Sequence, residues 1–428
     1  MITPVEAENL IRQSVPPLPA EDCPLANALG RVLRAPIIAD RDLPPFDRVT
    51  MDGFAIRAST DSAIAGTSGV RRLRVLGFQA AGMRPFDLTD DMSCVEIATG
   101  ASLPNGADAV VPYEDIDRSD KADTSAAAIS TRGPNETKQT GGNEITVHAP
   151  ADYPSGTFVH RRGSDYRAGS VLVPAGVRLT SREIAVAASC GATTLRVSIQ
   201  PRIAVIATGD ELVEVETAVL APHHLRRSND YALRAALFAD GFTRVDRFHL
   251  RDVREEISSA LKKLLNEYDV LILSGGVSKG KFDFLPTVLS ELGVTKRLQG
   301  VAQRPGKPFW FGTSSRGTPV FALPGNPVST LTCFTRYALP ALRQMAGLPN
   351  EKPMLASLAE SVPFRPPLAL LLPVRLESTA TAQLLAHPLP TNTSGDFAGL
   401  VGTDGFIELP ASNGIFPAGE IARFYRWA

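Results

Sequence analysis

The sequence predicts a multidomain protein of α/β plus β class: an α/β domain in the middle of the chain, a β-rich domain before it and a small β domain after it. Three observations predict this. A chain of 428 residues exceeds what a single hydrophobic core ordinarily supports, so roughly three domains are expected. From Pro201 onward, short apolar runs alternate with amphipathic stretches, the rhythm of βαβ units and a parallel sheet with right-handed crossovers. On either side of that region the apolar residues come in short runs punctuated by Gly, Pro and Asp, as β-strands do.

Taken in order, the chain opens with a helix. Thr3 is its N-cap, Pro4 its first residue and Glu6 the partner of a capping box, and Pro16-Pro17 ends it. Asn27 to Leu33 reads as a short second helix. Leu73–Leu76, Cys94–Ala98 and Ala109–Val111 read as strands. Asp117–Glu144 is rich in Asp, Ser, Thr, Gly and Asn and reads as an extended surface loop. Ile145–Val173 returns to strands, and Thr180–Cys190 is a helix with Ser181 at its cap. In the α/β region, Arg202–Ala207, Phe242–His249, Asp269–Leu273 and Val320–Leu323 read as extended. Asp230–Ala239, Arg254–Leu265, Phe284–Leu292 and Val328–Leu342 read as helices. After Gly347, proline spacing and apolar alternation predict a small all-β tail.

Composition narrows the function. Hydrophobic residues at 44% and charged residues at 21% mark a soluble globular chain. A formal net charge of -1 gives no general electrostatic grip on nucleic acid. Cys23, Cys94, Cys190 and Cys333 form no CxxC pair, which argues against a zinc ribbon or a disulfide scaffold. The amino terminus lacks a basic-then-apolar leader, and the Leu368–Leu372 run is too short to span a bilayer. The expectation is a cytoplasmic protein with neither a nucleic-acid nor a membrane partner.

Polar, glycine-bearing loops in the α/β region are the candidate site. The stretch Leu271–Phe284 runs from a buried strand into a loop. There Gly275 and Gly276 permit close backbone approach, Ser274 and Ser278 supply hydroxyls, Lys279 and Lys281 supply charge, and Asp283 can hold a divalent cation. After the strand at 202–207 come Asp210 and Glu211, which suit a metal or a ribose hydroxyl; Asp210 as a helix cap is the structural alternative. In Gln303-Arg304-Pro305-Gly306-Lys307-Pro308, two prolines restrict the backbone that carries two cations, a pairing useful for a dianion. Pro324-Gly325-Asn326 turns a strand into a helix whose free N–H groups can meet an anion. Each loop alone has a bland reading as a tight turn with solvated charges. Jointly they point to one oxyanion site, because open α/β sheets bind ligands outside the carboxyl ends of their strands.

Read in order, PFDRVTMDGFA, IATGASLPNGADAVVPYED, RRGSDYRAGSVL, IATGDELV, SNDYALRA, LSGGVSKGKFDF, RPGKPFWFG and LPGNPVS resemble the molybdopterin molybdenumtransferase family, MoeA-like proteins that include the E domain of gephyrin. The resemblance implies a central three-layer α/β molybdopterin-binding domain at residues 201–346 and a β-rich domain at 41–161. It also implies a small, elongated helical and strand domain made of 1–40 and 162–200, and a C-terminal β-barrel-like domain at 347–428. It implies a homodimer and a magnesium-dependent transferase that joins molybdate to adenylylated molybdopterin, releasing AMP and molybdenum cofactor. A molybdopterin adenylyltransferase and recipient molybdoenzymes are the protein partners it implies.

By motif position, the resemblance assigns catalytic roles to Asp52, Thr99, Glu211, Asp252, Asp283 and Lys307, and Mg2+ to Asp283 and Glu211. It assigns substrate binding to Asn229, Ser274, Gly275, Gly276, Ser278, Arg304, Pro305, Gly306, Pro324, Gly325 and Asn326. Three positions depart from the family pattern: Arg304 replaces a lysine, Lys279 stands where a small or apolar residue is usual, and Arg375 is the nearest counterpart of a tail-domain arginine. Two other readings keep the fold: a diverged paralogue that carries molybdopterin, and a scaffold module without insertion activity.

Overall fold

The computed structural model describes residues 1–58, 70–116, 146–150, 153–277, 284–350, 352–389, 391–411 and 414–428. The expected loop Asp117–Glu144 lies outside these residues, as do Ser278, Lys279, Lys281 and Asp283. The chain divides into two units. Residues 1–35, 174–185 and 193–428 make the first, and residues 36–173 and 186–192 the second.

The first unit is built on a six-stranded sheet. Its strand order is Val245–Leu250, Ile203–Thr208, Val270–Ser274, Pro319–Leu323, Trp310–Thr313, Thr295–Gln299. The first four strands are parallel. The last two run antiparallel to their neighbours, so the sheet is mixed, not purely parallel as expected. Alternate side chains feed two cores. Ile203, Val205, Val270 and Ile272 pack with Leu233, Leu237 and Leu342 on one face. Ala204, Ile206, Leu271 and Leu273 pack with Ile257, Leu261 and Leu289 on the other. This is the three-layer arrangement, and it explains the uninterrupted apolar runs: a strand covered on both faces has no polar side. Each fully buried Leu, Ile or Val contributes about 1.5–3 kcal/mol of apolar transfer.

Helix boundaries follow local chemistry. The first helix is Pro4–Ser14; Glu6 N–H donates to Thr3 Oγ1 at 3.2 Å and Thr3 N–H to Glu6 Oε2 at 2.7 Å, the expected capping box. Its Ala7 and Ile11 enter the core beneath the sheet. The helix Ser181–Ser189 is capped by Thr180, not Ser181: Glu183 Oε2 accepts from Thr180 N–H at 2.8 Å. The expected helix at Asn27–Leu33 is absent. A single 3-10 turn covers Leu25–Asn27, Gly30 takes φ 76°, and Val32 and Leu33 bridge Arg178 and Val197 as extended residues. The β-branched Val32 and the left-handed glycine both oppose helix there. The helix foreseen at Val328–Leu342 is α at Pro327–Cys333, π at Phe334–Ala338 and α again at Leu339–Met345. Pro340 has no N–H to donate, and the wide turn sits immediately before it.

The tail of the first unit is a closed five-stranded barrel. Ala369–Ser378 pairs with both Leu384–Pro388 and Gly405–Leu409; Met354–Leu358 and Ile421–Arg426 complete the ring. In the second unit a five-stranded sheet has the order Ala109–Pro112, Gly53–Ile56, Ser93–Ile97, Val70–Gln79, Thr146–Pro150. Arg48–Val49 pairs separately with Val159–His160.

Candidate active site at the carboxyl edge of the sheet

Register places the loops of the first unit along one line. Phe248, Ile206, Leu273, Ala322, Trp310 and Gln299 are neighbours across the six strands. The segments beginning at Gly209, Arg251, Gly275 and Pro324 therefore leave the same edge, and the 300–309 loop joins its two strands there. In chain order the parallel strands lie 2-1-3-4, so their order reverses between Ile203–Thr208 and Val270–Ser274. That reversal opens the crevice in which doubly wound sheets take ligands.

The crevice is closely built. A Cβ on Gly275 would stand 2.7 Å from Thr208 Oγ1 and 2.8 Å from its carbonyl oxygen, and Gly275 has φ 102°. Only glycine fits both constraints. Gly275 N–H donates to Leu323 O at 3.1 Å, tying the third strand end to the fourth. Asn229 joins three segments: its Nδ2 donates to Ser274 Oγ at 2.9 Å and to Gly325 O at 2.7 Å. Thr330 Oγ1 lies 3.4 Å from Ser274 Oγ and donates to Pro324 O. Two polar atoms here are buried and have no partner among the described residues: Thr208 Oγ1 and Asn229 Oδ1.

Beneath Asn229 lies a charge cluster that motif reading did not single out. Asp230 is fully buried and accepts from Arg227 and, at 3.1 Å, from Arg247, whose guanidinium lies 3.5 Å from the Tyr231 ring centroid. Burial opposes the Arg227 charge. The hydrogen bond and charge of Asp230, with the charge of Glu214, override that and hold its pKa above the ordinary value. The cluster anchors the turn that presents Asn229.

One end of the row is acidic. Asp210 and Glu211 are exposed in a turn that leads into the short strand Leu212–Val213, so Asp210 caps no helix. Asp210 Oδ1 instead accepts the Asp252 N–H at 3.2 Å, which brings the first two strand ends together. Glu211 folds back over Gly209, whose Cβ would meet its Oε2 at 2.5 Å. His249 Nε2 donates to the Gly209 carbonyl at 2.9 Å. Carboxylate oxygens are the donors that suit magnesium, which takes one or two of them and completes its shell with phosphate oxygens and water. Among the described residues no three of His, Cys, Asp and Glu form a closed metal cage.

The other end is cationic. Arg304 and Lys307 are exposed and make no ion pair among the described residues. Their loop is held from below by Gln303, which is completely buried, donates to Pro305 O at 3.1 Å and accepts from Tyr337 Oη. Gly306 has φ 88°, and a Cβ there would strike Cys333 Sγ at 2.3 Å. The prolines are thus only part of the restraint. Gln303-Arg304 also pairs in parallel with Ala369-Leu370 of the barrel. Arg375 stands five residues further along that barrel strand, about 17 Å away at strand rise, exposed and opposite His387. The tail reaches the row through Ser394 instead: its Oγ accepts from Asn326 Nδ2 at 2.7 Å and its carbonyl from Val328 N–H at 3.1 Å. One of the helix N–H groups expected to meet an anion is therefore occupied.

Asp52 and Thr99 belong to the second unit, where Asp52 Oδ1 accepts the Thr99 N–H at 2.7 Å and both residues are exposed. Asp47 accepts from Arg161 at 2.8 Å and from Arg162 N–H at 2.7 Å. Burial works against its charge, but those bonds prevail and hold its pKa below the ordinary carboxylate value.

Fold and crevice define a doubly wound α/β ligand-binding domain with an acidic and a cationic end, joined to a β-barrel. Comparison with known proteins is then specific. Residues 2–191 match the MoeA N-terminal region (domains I and II), 204–344 a probable molybdopterin-binding domain, and 356–427 the MoeA C-terminal region (domain IV). The chain is 40% identical over 428 residues to a molybdopterin molybdenumtransferase of Synechocystis, covering all of both chains. It is 33% identical over 403 residues to one from Staphylococcus epidermidis, covering 93% of this chain and 88% of that one. A molybdopterin biosynthesis protein of Pyrococcus horikosii superposes with a TM-score of 0.79 at 30% identity, covering 100% and 99% of the two chains. The chain belongs to the MoeA family.

Proposed function

We propose that this chain is a molybdopterin molybdenumtransferase, inserting molybdenum from molybdate into adenylylated molybdopterin with release of AMP. The observation that carries the reading is the polarity of the strand-end row. Glu211 follows the second strand in sheet order, and Lys307 lies between the fifth and sixth. At about 4.8 Å per strand the two ends stand roughly 17 Å apart across the sheet. Adenylylated molybdopterin carries a diphosphate and a metal-accepting dithiolene on one skeleton, and a row with metal-binding carboxylates and fixed cations suits those two kinds of group.

The division of labour follows from charge. Arg304 and Lys307 replace part of the hydration of a tetrahedral dianion, and their fixed backbone keeps them together against mutual repulsion. Glu211, with Asp283, would hold magnesium. Magnesium would neutralise phosphoryl oxygens as the anhydride is cleaved. Asn229, Ser274 and the Gly275 and Gly276 backbone shape the crevice between. Asp52 and Thr99 are proposed to complete the site from the β-rich unit, in a homodimer.

The test is to mix the purified full chain with adenylylated molybdopterin, magnesium and molybdate, and to measure AMP and active cofactor together. Lys307→Ala should raise the molybdate concentration for half-saturation about tenfold or more, the worth of one charge-assisted contact, with nucleotide affinity little changed. Tight binding of the nucleotide without AMP release would favour the carrier reading.

A further inference from the structure

A second cavity on the first unit has no part in the reaction above, and its assignment does not depend on that reaction. It encloses about 660 Å³ between the amino-terminal helix, the helical segment from Thr335 to Gln344 and the last barrel strand. None of its lining residues belongs to the strand-end loops. Thr335 to Gln344 lie about 12–25 Å along the helix from Pro327, at 1.5 Å per residue.

The walls are strongly cationic. Six arginine and lysine side chains line the cavity against one lining carboxylate, Glu8; Arg343 is paired with Asp240, at 2.5 Å, and Arg336 with Glu408. Glu8 is already engaged by Arg12 at 2.9 Å and Arg336 at 2.8 Å. Lys352, Arg423 and Arg426 are exposed and make no ion pair among the described residues. Three polar atoms on the walls have no hydrogen-bond partner among the described residues: Arg12 Nε, Thr335 Oγ1 and Arg336 Nη2. Two of them belong to deeply buried residues, Thr335 at 5% and Arg336 at 1% exposure. Arg336 is a demanding group to bury. It takes Glu8, Glu408 at 2.5 Å and the Tyr425 ring at 4.8 Å, and still leaves one nitrogen unmet. Gathering uncompensated cations beside unmet polar groups destabilises the empty protein, and an anion relieves both.

We propose that this cavity is a second ligand site for a small organic phosphate. Its volume falls in the range of small-molecule pockets, about 300–1,000 Å³. Lys352, Arg423 and Arg426 match the charge of a diphosphate, and Trp427 brings an aromatic surface to the wall for an organic group.

The test is titration calorimetry of the full chain with inorganic pyrophosphate, on the wild type, on R423A/R426A and on R304A/K307A. The expected result is saturable binding by the wild type and by R304A/K307A. In R423A/R426A affinity should fall about tenfold or more, the scale of one lost charge-assisted contact. Lys352→Ala, a second exposed site, should weaken binding in the same direction, and circular dichroism checks that each variant is folded. Competition by ATP but not by adenosine would identify an organic phosphate as the occupant; pyrophosphate binding that ATP leaves unchanged would overturn that part of the assignment. Affinity within twofold of wild type in R423A/R426A, loss confined to R304A/K307A, or no binding at millimolar pyrophosphate overturns the proposal. Capture of an acidic peptide by a chain that ignores pyrophosphate overturns it in favour of a protein partner.

Discussion

Gly275→Ala probes the tightest point of the crevice. The new methyl would lie 2.7 Å from Thr208 Oγ1 and 2.8 Å from the Thr208 carbonyl, and the residue would have to hold φ 102°. The carbonyl belongs to a strand paired on both sides, so it has little room to withdraw. Left-handed backbone costs an L-residue about 1–2 kcal/mol, and forced overpacking adds about 1–3 kcal/mol. The sum, about 2–5 kcal/mol, is a large part of the stability of a typical domain. Gly325→Ala is the internal control. Its methyl would meet the Gly275 Cα at 3.5 Å, an ordinary contact, so it should cost under about 0.5 kcal/mol. Urea unfolding followed by Trp310 fluorescence in a Trp427→Phe background reads the sheet alone, since the chain has two tryptophans. Equal midpoints for G275A and wild type, or equal losses in G275A and G325A, would refute the close-approach argument.

Asp230→Ala should cost about 3–5 kcal/mol, because it strands the buried Arg227 without its best partner; Asp230→Asn should cost less, and urea midpoints compare them. Glu8 supplies a pH test. Burial opposes its charge, but Arg336, and then Arg12 and Arg423, outweigh that and lower its pKa below 4.5. A depressed carboxyl stabilises the fold fully above its unfolded pKa and loses that contribution as pH falls through the folded value. Unfolding midpoints of wild type should therefore drop between about pH 5 and about pH 3 more steeply than those of Glu8→Gln; parallel curves would remove Glu8 from the acid response. If Asp117–Glu144 is the loop its composition predicts, deleting part of it should leave soluble yield unchanged, because loop length enters stability only logarithmically.

The parallel strands were legible because burial on both faces leaves runs such as Val270–Leu273 with no polar position. Two strands of the six-stranded sheet escaped for opposite reasons. Thr295–Gln299 buries only Leu298, so its TKRLQ sequence resembles a solvated turn. Trp310–Thr313 is wholly buried but follows directly on the proline-bearing loop and contains Gly312. The stretch after Asn27 misled because its apolar spacing suits a helix while Gly30 and Val32 oppose one. Local pattern had no means of revealing that Leu33 pairs with Val197, more than a hundred and sixty positions away.

The candidate site can be read from sequence where a loop carries its own polar residues, and not where a loop is braced from below. Gly275, Asn229, Glu211, Arg304 and Lys307 sit in motifs whose residue types advertise polar work. Gln303, Asp230 and Ser394 do not, yet they fix the cationic loop, the Asn229 turn and the helix start respectively. Such residues are found through a partner, not a pattern. A buried glutamine is unremarkable in sequence until a tyrosine hydroxyl and a proline carbonyl claim both ends of its amide. The cationic cavity follows the same rule: Arg12, Arg336 and Arg423 are far apart in the chain, and only the packing of the first helix and the barrel against one helical segment makes them a charge cluster. Motif comparison reports on chemistry the family shares, so a cavity assembled by packing segments that lie outside those motifs is one it is poorly placed to detect.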